Sequence, residues 1–444
     1  MKFNPQPIIS SHGRARLGQI TEWGPTRKSL NFTTPETMIY TISGYVPNLV
    51  PESLKIAGLL QDSENDPPSP PIYYLTLPSI ISSLPAISEM AQGLKKWLGL
   101  PADSLTFLSL HDSHNKLPTG YNGNLSRAVW CKGGHVKLDV PKYQKLLSAC
   151  WDVDYVQTLG DSDTPSGCKP KRLQKSVDRT GRFLNQAIET LNERTQAKEV
   201  TPGFFATLVG GDSPDYRRKC ATAVEPLSDN LMGFLFEGFH EFGPLNDFSA
   251  ESVGKSLEAA STCLPLNKPR IFPGALNPSQ IWHLVEEGCD LFESSYVHIL
   301  SEKNSLLLIG GNYPSLHTDW TIIEVDTKAW ESNFDPLTSE CPCYACKTYS
   351  KAFRFFTTAQ NNLQYIREIC LNNRAKPHLS ALSGSNLCSP PCPAPPWESD
   401  WLDLIRRCKL SKLKTCGATM VPWSWPSAGP DDCCAERKRA SFLN

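Results

Sequence analysis

Short apolar runs alternate with amphipathic stretches through most of the chain. Runs rich in leucine, aromatic and β-branched residues predict strands at 104–110, 204–209, 231–236, 270–272, 289–292 and 305–309. Residues 176–194 follow a helical period instead, which places on one face Phe183, Leu184, Ala187, Ile188 and Leu191. The repeated strand–helix–strand order predicts an α/β fold with a parallel sheet, and a closed (β/α)8 barrel is the economical form for 444 residues.

A second predicted helix is marked by its end signals. Asn277 suits the N-cap position, Pro278 the first helical position and Gly288 the C-terminal stop. The residues that helical spacing turns inward are Ile281, Leu284 and Val285. This unit therefore has one buried face, as an outer helix of a barrel requires.

Polar residues follow the predicted strands where those strands end. The segments are His111-Asp112-Ser113, Gly210-Gly211-Asp212, Glu237-Gly238 and Glu293-Ser294-Ser295-Tyr296. In a (β/α)8 barrel the loops after the strands share one face, and the chemistry of the fold is found there. These segments are therefore the candidate functional loops.

Three thiols within six residues predict a metal site. Cys341, Cys343 and Cys346 follow C-x-C-x2-C spacing, which delivers three sulfurs to one ion, and thiolate ligands favour zinc. Residues 347–353 have the composition of a helix start that could hold a fourth ligand. The alternative is that a chain with 16 cysteines clusters some of them by chance, as small buried apolar side chains.

Charge and hydropathy narrow the function classes. The net charge of −1 and the pI near 6.7 provide no overall field that draws the chain to nucleic acid. A basic patch at 169–175 is a local candidate, and its alternative is a solvated loop before a helix. Because no membrane span or signal peptide is evident, we expect a soluble intracellular protein whose cysteines stay reduced.

The last part of the chain has a different character. Residues 376–444 carry scattered cysteines and prolines without periodicity, which predicts a disordered tail. A second metal-binding module is the alternative, and an altered reading frame or retained intron is a further hypothesis for its origin. The predicted organisation is a barrel over 1–325, a zinc-binding subdomain over 326–375 and the tail over 376–444.

Several motifs resemble the tRNA-guanine transglycosylase family. The zinc loop and following helix, CPCYACKTYSKAF at 341–353, resemble the family's zinc subdomain, and SVDRTGRF at 176–183 and LVGG at 208–211 resemble a helix start and a strand end. SLHD at 109–112, PTGYN at 118–122 and SVDR at 176–179 are similar to the family's non-catalytic branch. The resemblance covers about residues 10–373.

The resemblance implies a fold, a reaction and a partner. The fold is a TIM-type barrel with an inserted zinc subdomain, and the implied partner is a catalytic homologue in a heterodimer. Together the pair exchanges guanine for queuine at wobble position 34 of tRNAs with GUN anticodons, those for Asp, Asn, His and Tyr. The implied location is the cytoplasm, with peripheral association with the mitochondrial outer surface by family analogy.

The resemblance also implies one structural Zn²⁺ per subunit. A histidine on the helix completes a Cys3His site in the family, but Asn372 stands at that position here. Neutral amides are poor zinc ligands. His378 or Cys370 could substitute, or the site could be three-coordinate.

The family's catalytic positions are altered. In catalytic members an aspartate nucleophile takes the ribose, whereas the matching position holds Glu293, and the run 298–302 lacks the arginine that contacts RNA. Asp112 retains a second carboxylate, but the Gly-Gly that opens the base pocket is replaced. Residues 237–241 place two acids and an imidazole where small residues bind guanine. Asp161 stands near the base-reading aspartate, and its alternative is an ordinary turn acid.

These departures favour a non-catalytic accessory subunit. The alternatives are an active base-exchange enzyme with Glu293 as nucleophile, and a zinc-stabilised RNA-binding scaffold without an enzyme partner. His111 and His114 flank Asp112, but H-x-x-H spacing alone is weak evidence for a site, so surface histidines are expected there.

Overall fold

Eight parallel strands form a closed barrel within the part of the chain that the structure describes. This computed structural model describes residues 1–7, 14–24, 32–50, 54, 71–101, 103–239, 250–309, 318–324, 333–335 and 350. Its strands are β1 Lys2–Pro7, β2 Arg16–Glu22, β3 Phe32–Thr34, β4 Glu36–Tyr40, β5 Ile72–Thr76, β6 Leu105–Ser109, β7 Ser126–Cys131, β8 Gly134–Asp139, β9 Tyr155–Gln157, β10 Gly203–Leu208, β11 Leu231–Phe236, β12 Arg270–Ile271, β13 Leu291–Glu293, β14 Ser305–Ile309 and β15 Trp320–Glu324. Its helices are α1 Leu77–Ile80, α2 Leu84–Met90, α3 Leu94–Trp97, α4 Val140–Ala149, α5 Pro170–Gln196, α6 Pro214–Val224, α7 Ala250–Ser261, α8 Pro278–Glu286 and α9 Ser295–Glu302, with 3-10 turns at Ile81–Ser83 and Glu225–Asn230.

The barrel runs in the order β4, β5, β6, β9, β10, β11, β12 and β13, and β13 pairs with β4 to close it. Every neighbouring pair is parallel. The predicted (β/α)8 barrel is therefore confirmed. Strands such as β5 and β6 are buried along their whole length, as expected where helices cover the outer face and side chains fill the interior.

The barrel interior is filled largely by aromatic side chains. Phe107 stacks on Tyr74 with ring centroids 5.7 Å apart and meets Phe205 edge-on at 5.4 Å. Below them, Trp23 from the antiparallel sheet β1–β2–β3 packs on Tyr155 at 4.7 Å. Phe3, Ile20 and Phe32 of this sheet share a buried apolar cluster with Ile72 and Leu105, which lie where β5 and β6 begin.

Most predicted strands are confirmed, and one is assigned to the wrong sheet. Residues 305–309 form a strand, but β14 pairs antiparallel with β15 outside the barrel, with Ser305 opposite Glu324. The apolar pattern alone does not give a strand's direction, which is why it was placed in the parallel series. The hydrophobic pattern also missed β4, β5 and β9, although β5 is a run of buried residues that could have been recognised.

The two predicted helices are present, and one begins earlier than predicted. α5 starts at Pro170, so the basic patch is not a loop before the helix but contains its first turns. Lys171 and Lys175 are exposed there, whereas Arg172 is half-buried. α8 begins with the predicted Asn277 cap, which accepts a hydrogen bond from the Gln280 N–H at 2.9 Å and returns one from its own N–H.

The predicted domain limits stay predictions. The barrel strands span residues 36–293, within the 1–325 range expected for the barrel. The zinc loop, Asn372, His378 and the tail over 376–444 lie outside the described residues. Among the described helices, none combines the length and apolar character that would let it cross a bilayer.

Candidate functional site

Four buried acidic side chains lie where barrel strands end. Asp112 follows β6, Asp161 follows β9, Glu237 follows β11 and Glu293 ends β13. All four are buried, with at most 8% of each residue exposed. Since a buried carboxylate is costly unless it is paired or hydrogen-bonded, the partners of each acid decide what it can do.

Glu293 is held by the start of α9. The Ser295 N–H donates to Oε2 at 2.7 Å, the Ser295 hydroxyl donates to Oε1 at 2.7 Å and the Gly274 N–H reaches Oε1 at 3.2 Å. Complete burial raises the pKa of Glu293 to about 7, against hydrogen bonds from Ser295 that lower it. The Glu293 carboxylate is thus held by Ser295 and Gly274, and burial makes it much less acidic than a free glutamate.

Asp112 is held by its own loop and by β4. The Tyr40 hydroxyl donates to Oδ1 at 2.7 Å, and the Asn115 side chain donates to Oδ2 at 2.9 Å. The His114 N–H also reaches Oδ1 at 3.1 Å, closing a tight turn. Burial and the neighbouring Asp112 charge raise the pKa of Tyr40, so its hydroxyl stays protonated and acts as a donor.

Asp161 is surrounded by four N–H donors. Its Oδ1 accepts from Asn122 at 2.9 Å and from Arg172 at 2.7 Å, while its Oδ2 accepts from Arg172 and Arg179, both at 2.8 Å. A carboxylate has about four lone-pair positions, so all of them are occupied. Burial alone would raise the pKa of Asp161, but these donors hold it below the ordinary value.

Two of these donors belong to the motifs that carry the family resemblance. Asn122 ends the PTGYN motif at 118–122, and Arg179 ends the SVDR motif at 176–179. Ser176 of the same motif donates its hydroxyl to the Asp161 carbonyl, and Thr180 accepts from the Asp161 N–H at 3.0 Å. The two motifs therefore converge on one acid, which is more than an ordinary turn residue.

Glu237 is neutralised by Arg127 from the β7–β8 hairpin. Arg127 donates to both carboxylate oxygens, at 2.8 and 2.6 Å, and the two side chains are 2% and 1% exposed. Glu237 is the first of the two acids that the sequence predicted over residues 237–241. His240 and Glu241, the rest of the predicted replacement, lie outside the described residues.

The Gly210-Gly211 pair is a structural turn rather than a ligand cradle. A side chain at Gly210 would place its Cβ 2.6 Å from the Arg217 backbone nitrogen of α6, and Gly210 has φ +148. The completely buried Arg217 donates at 2.9 Å to the carbonyl oxygens of Gly211 and Leu208. The glycines thus let α6 approach the strand end.

The prediction of surface histidines around Asp112 is wrong. His111 is 2% exposed, because it turns into the protein at the end of β6. His114 is half-buried and lies against His298 of α9, with ring centroids 5.0 Å apart. The run 298–302, which lacks an arginine, forms the second half of this helix.

Sequence reasoning missed the residues that neutralise the acids. Tyr40 and Arg127 lie 72 and 110 residues from the acids they bind, so only the fold brings them together. Ser295 follows Glu293 by two residues in a predicted functional loop, but the sequence did not indicate that it donates to that carboxylate. The sequence did single out Arg172, because this residue belongs to the basic patch at 169–175. The patch, however, suggested contact with RNA rather than an ion pair within the protein. The metal ligands Cys341, Cys343, Cys346, and Asn372 or His378, lie outside the described residues.

Comparison with known proteins identifies the family. The sequence model of Queuine tRNA-ribosyltransferase matches residues 11–373. The chain belongs to the queuine tRNA-ribosyltransferase family. "Queuine tRNA-ribosyltransferase accessory subunit 2" from Caenorhabditis elegans is 31% identical over 338 residues, covering 76% of this chain and 86% of the relative. The proteins of that name from Ixodes scapularis and Homo sapiens are 29% and 28% identical, covering 80% and 82% of this chain and 88% and 90% of the relatives.

Three of the acids at the barrel mouth are bound by donors of this chain itself. Glu293 accepts from Ser295, Asp161 from Arg172 and Glu237 from Arg127. Lone pairs of these carboxylates are thus used by hydrogen bonds within the chain.

Proposed function

We propose that this chain is the non-catalytic accessory subunit of a heterodimeric queuine tRNA-ribosyltransferase. Its catalytic partner exchanges guanine for queuine at wobble position 34 of tRNAs with GUN anticodons, and this chain stabilises or orients that partner. Two alternatives were raised by the sequence: an active enzyme that uses Glu293, and an RNA-binding scaffold. The relatives named as accessory subunits and the occupied acids both favour the first reading.

The observation that carries the proposal is the occupied carboxylate of Asp161. A base-reading acid must offer lone pairs to the N–H groups of guanine or queuine, and the four donors around Asp161 leave none. Each of these bonds is made to a buried carboxylate, so displacing one to admit a base would cost free energy. Asp161 thus offers no free lone pair to a base.

The Arg127–Glu237 pair adds a second obstacle. It places a guanidinium and a carboxylate where a flat, neutral base would have to lie. Removing either charge from its partner in a buried place is strongly unfavourable. A base that bound here would have to displace this ion pair, because both need the same space.

Glu293 is poorly suited to act as a nucleophile. Its extra methylene moves the carboxylate by about one C–C bond length, and misplacement near 1 Å lowers catalytic rates by about 100-fold. Both oxygens accept hydrogen bonds from Gly274 or Ser295, which reduces their nucleophilicity. With a pKa near 7 the group is also partly protonated at neutral pH.

We further propose one structural Zn²⁺ in the subdomain over 326–375. The three thiols of Cys341, Cys343 and Cys346 are suitable zinc ligands. The fourth ligand would come either from the segment at Asn372 or from His378. This zinc would supply folding energy to the subdomain rather than chemistry at the barrel. The surface proposed to bind the catalytic partner includes this subdomain. The chain contacts tRNA as part of the complex, and the proposed location is the cytoplasm.

The test is base exchange with purified proteins. Labelled guanine or queuine incorporation into substrate tRNA is measured with this chain alone, with its catalytic homologue alone and with the mixture. The proposal expects no incorporation by the chain alone and the highest rate in the mixture. Incorporation by the chain alone, with a covalent RNA adduct that disappears in Glu293→Gln, would overturn it.

A third result discriminates the scaffold hypothesis. If the chain binds tRNA alone with steep salt dependence and leaves the rate of the catalytic homologue unchanged, the scaffold reading replaces the accessory reading. Co-purification of the two proteins is the accompanying measurement. A complex that forms and raises the exchange rate supports the accessory role.

A further inference from the structure

Two histidines and a glutamate meet beside the barrel mouth, outside the acids already described. His114 belongs to the loop after β6, and His298 and Glu302 lie one turn apart on α9. One donor atom of each residue lies within 4.8 Å of the donor atoms of the other two. Two imidazoles and one carboxylate are a ligand set that divalent transition metals bind.

The two histidines approach different oxygens of Glu302. Glu302 Oε2 lies 3.3 Å from His114 Nε2, and Glu302 Oε1 lies 3.5 Å from His298 Nε2. Ligand atoms on one tetrahedral ion with bonds of about 2.0–2.1 Å lie roughly 3.3–3.4 Å apart. Because the three ligand atoms lie within 4.8 Å of one another, rotation of the side chains has to bring them closer for all three to bind one ion.

The histidine nitrogens lack other partners among the described residues. Both ring nitrogens of His298 and Nδ1 of His114 are buried without a hydrogen bond. The His298 side chain is only 8% exposed, so these orphaned nitrogens are costly unless something binds them. An ion held at Nε2 would satisfy the nitrogen that faces Glu302.

Both imidazoles are held in place by the site around Asp112. The His298 ring stacks on Tyr40 with centroids 5.8 Å apart and an angle of 23° between the planes. The His114 backbone N–H is fixed to Asp112, which also binds the Tyr40 hydroxyl. Because a metal site depends on preoriented ligands, this support favours binding over a chance meeting of polar side chains.

We propose that His114, His298 and Glu302 bind a divalent transition-metal ion of the zinc class, distinct from the zinc expected at the cysteine loop. Three protein ligands leave one tetrahedral position open to water. Glu302 is 50% exposed, so an ion can enter from solvent. The bound ion ties α9 to the loop after β6, and thereby links the segments that carry Glu293 and Asp112.

Burial lowers the pKa of His298, although the charges of Glu302 and Asp112 oppose this decrease. A neutral imidazole is the form that ligates metal.

Cobalt binding tests the site, because Co²⁺ reports its ligands by colour. The full-length chain is stripped with a chelator and titrated with Co²⁺, and bound cobalt is counted after desalting. Thiolate ligation at the cysteine loop gives strong near-ultraviolet charge-transfer absorption, whereas a histidine–carboxylate site does not. Wild type should therefore bind one further equivalent of Co²⁺ that adds no thiolate absorption.

Substitutions at Glu302 and His114 test whether the further equivalent of Co²⁺ binds at this cluster. Glu302→Gln and His114→Ala should each weaken it by on the order of 100-fold or more, since loss of outer-shell partners alone costs about 10–100-fold. His135→Ala is the matched control, because His135 is an exposed histidine on the β7–β8 hairpin outside the cluster. It should bind cobalt as wild type does.

Thermal unfolding provides the second readout. Co²⁺ should raise the Tm of wild type more than that of Glu302→Gln, a substitution on a half-exposed side chain that is compatible with folding. Equal stoichiometry, affinity and Tm response in wild type and Glu302→Gln would overturn the proposal. Cobalt bound only with thiolate absorption would overturn it as well.

Discussion

Arg127 and Glu237 form a two-point ion pair inside the barrel mouth, although they lie 110 residues apart in the sequence. The arginine comes from a hairpin outside the barrel, and the glutamate comes from the end of a barrel strand. Their side chains are 2% and 1% exposed, so neither charge has access to bulk water. The pair couples the position of the hairpin to the shape of the mouth.

Arg127→Ala should destabilise the chain strongly. The substitution leaves the Glu237 carboxylate buried without its cation, and breaking a buried pair in this way costs about 3–5 kcal/mol. Urea unfolding measured by far-ultraviolet circular dichroism gives the free energy of unfolding. Arg194→Ala is the matched control, because its Glu199 partner is 53% exposed and such pairs contribute about 0–1 kcal/mol.

Removing both charges should recover much of this loss. In Arg127→Met/Glu237→Leu no buried charge is left unpaired, and such apolar replacements are often neutral. The double variant should unfold at a higher urea concentration than Arg127→Ala. A double variant as unstable as Arg127→Ala would show that shape, rather than charge, governs this position.

Glu293→Gln should change the pH dependence of stability. The folded-state pKa of Glu293 is about 7 against an ordinary 4.5, so between these values the folded chain keeps a proton that the unfolded chain releases. Wild type therefore loses stability as pH rises from 4.5 to 7, by on the order of 3 kcal/mol in total, and the loss levels off above 7. Unfolding of both proteins at pH 5, 6, 7 and 8 measures the difference.

The expected difference has a definite sign. The free energy of unfolding of wild type minus that of Glu293→Gln should be larger at pH 5 than at pH 8. Parallel stability curves across this range would mean that Glu293 is ionised at its ordinary pKa. Replacing the carboxyl group by an amide also changes its hydrogen bonds. That effect is largely independent of pH, so it does not alter the slope of stability against pH.

Gly210→Ala should destabilise the strand end. The new Cβ would lie 2.6 Å from the Arg217 nitrogen, and the backbone there has φ +148, which side chains rarely adopt. We expect a loss of about 1–3 kcal/mol. Gly181→Ala in α5 is the matched control, since its Cβ would meet no atom within 4 Å and the helix should gain about 0.5–1 kcal/mol.

Cys343→Ser should weaken the zinc subdomain and the partner complex. Removing one of three thiols lowers zinc affinity, and a structural zinc contributes its binding energy to folding. Bound zinc by elemental analysis should fall, and co-purification with the catalytic homologue should decrease. Full zinc content and an unchanged complex would refute the proposed site, and Cys263→Ser, outside the motif, is the control.

The sequence was most informative where a local rule determines the structure. Asn277 and Pro278 mark the start of α8, and Asn277 caps the helix as predicted. The positions of Asp112, Glu237 and Glu293 also followed from strand ends, because a parallel barrel gathers them at one face. Asp161 did not, since it follows β9, a strand that the apolar pattern missed. Both predictions depend on short-range pattern and on the architecture alone.

The sequence was silent where partners come from distant elements. The sequence around Asp161 does not show that the Arg172 and Arg179 side chains turn inward towards it. Basic residues at helical spacing are usually interpreted as a solvent-exposed helix face. The direction of β14 likewise depends on its pairing with β15, which local hydrophobicity does not specify. Long-range pairing, rather than propensity, decided both outcomes.

The four donors around Asp161 bear on how relatives of this chain are classified. A buried acid at a barrel mouth is commonly taken as a sign of chemistry, yet here the chain itself donates to every lone pair of the acid. The informative residues are instead the asparagine and the two arginines that surround it. A comparison of relatives that scores Asn122, Arg172 and Arg179 together with Asp161 therefore reports whether the acid is engaged, which a comparison of carboxylates alone does not.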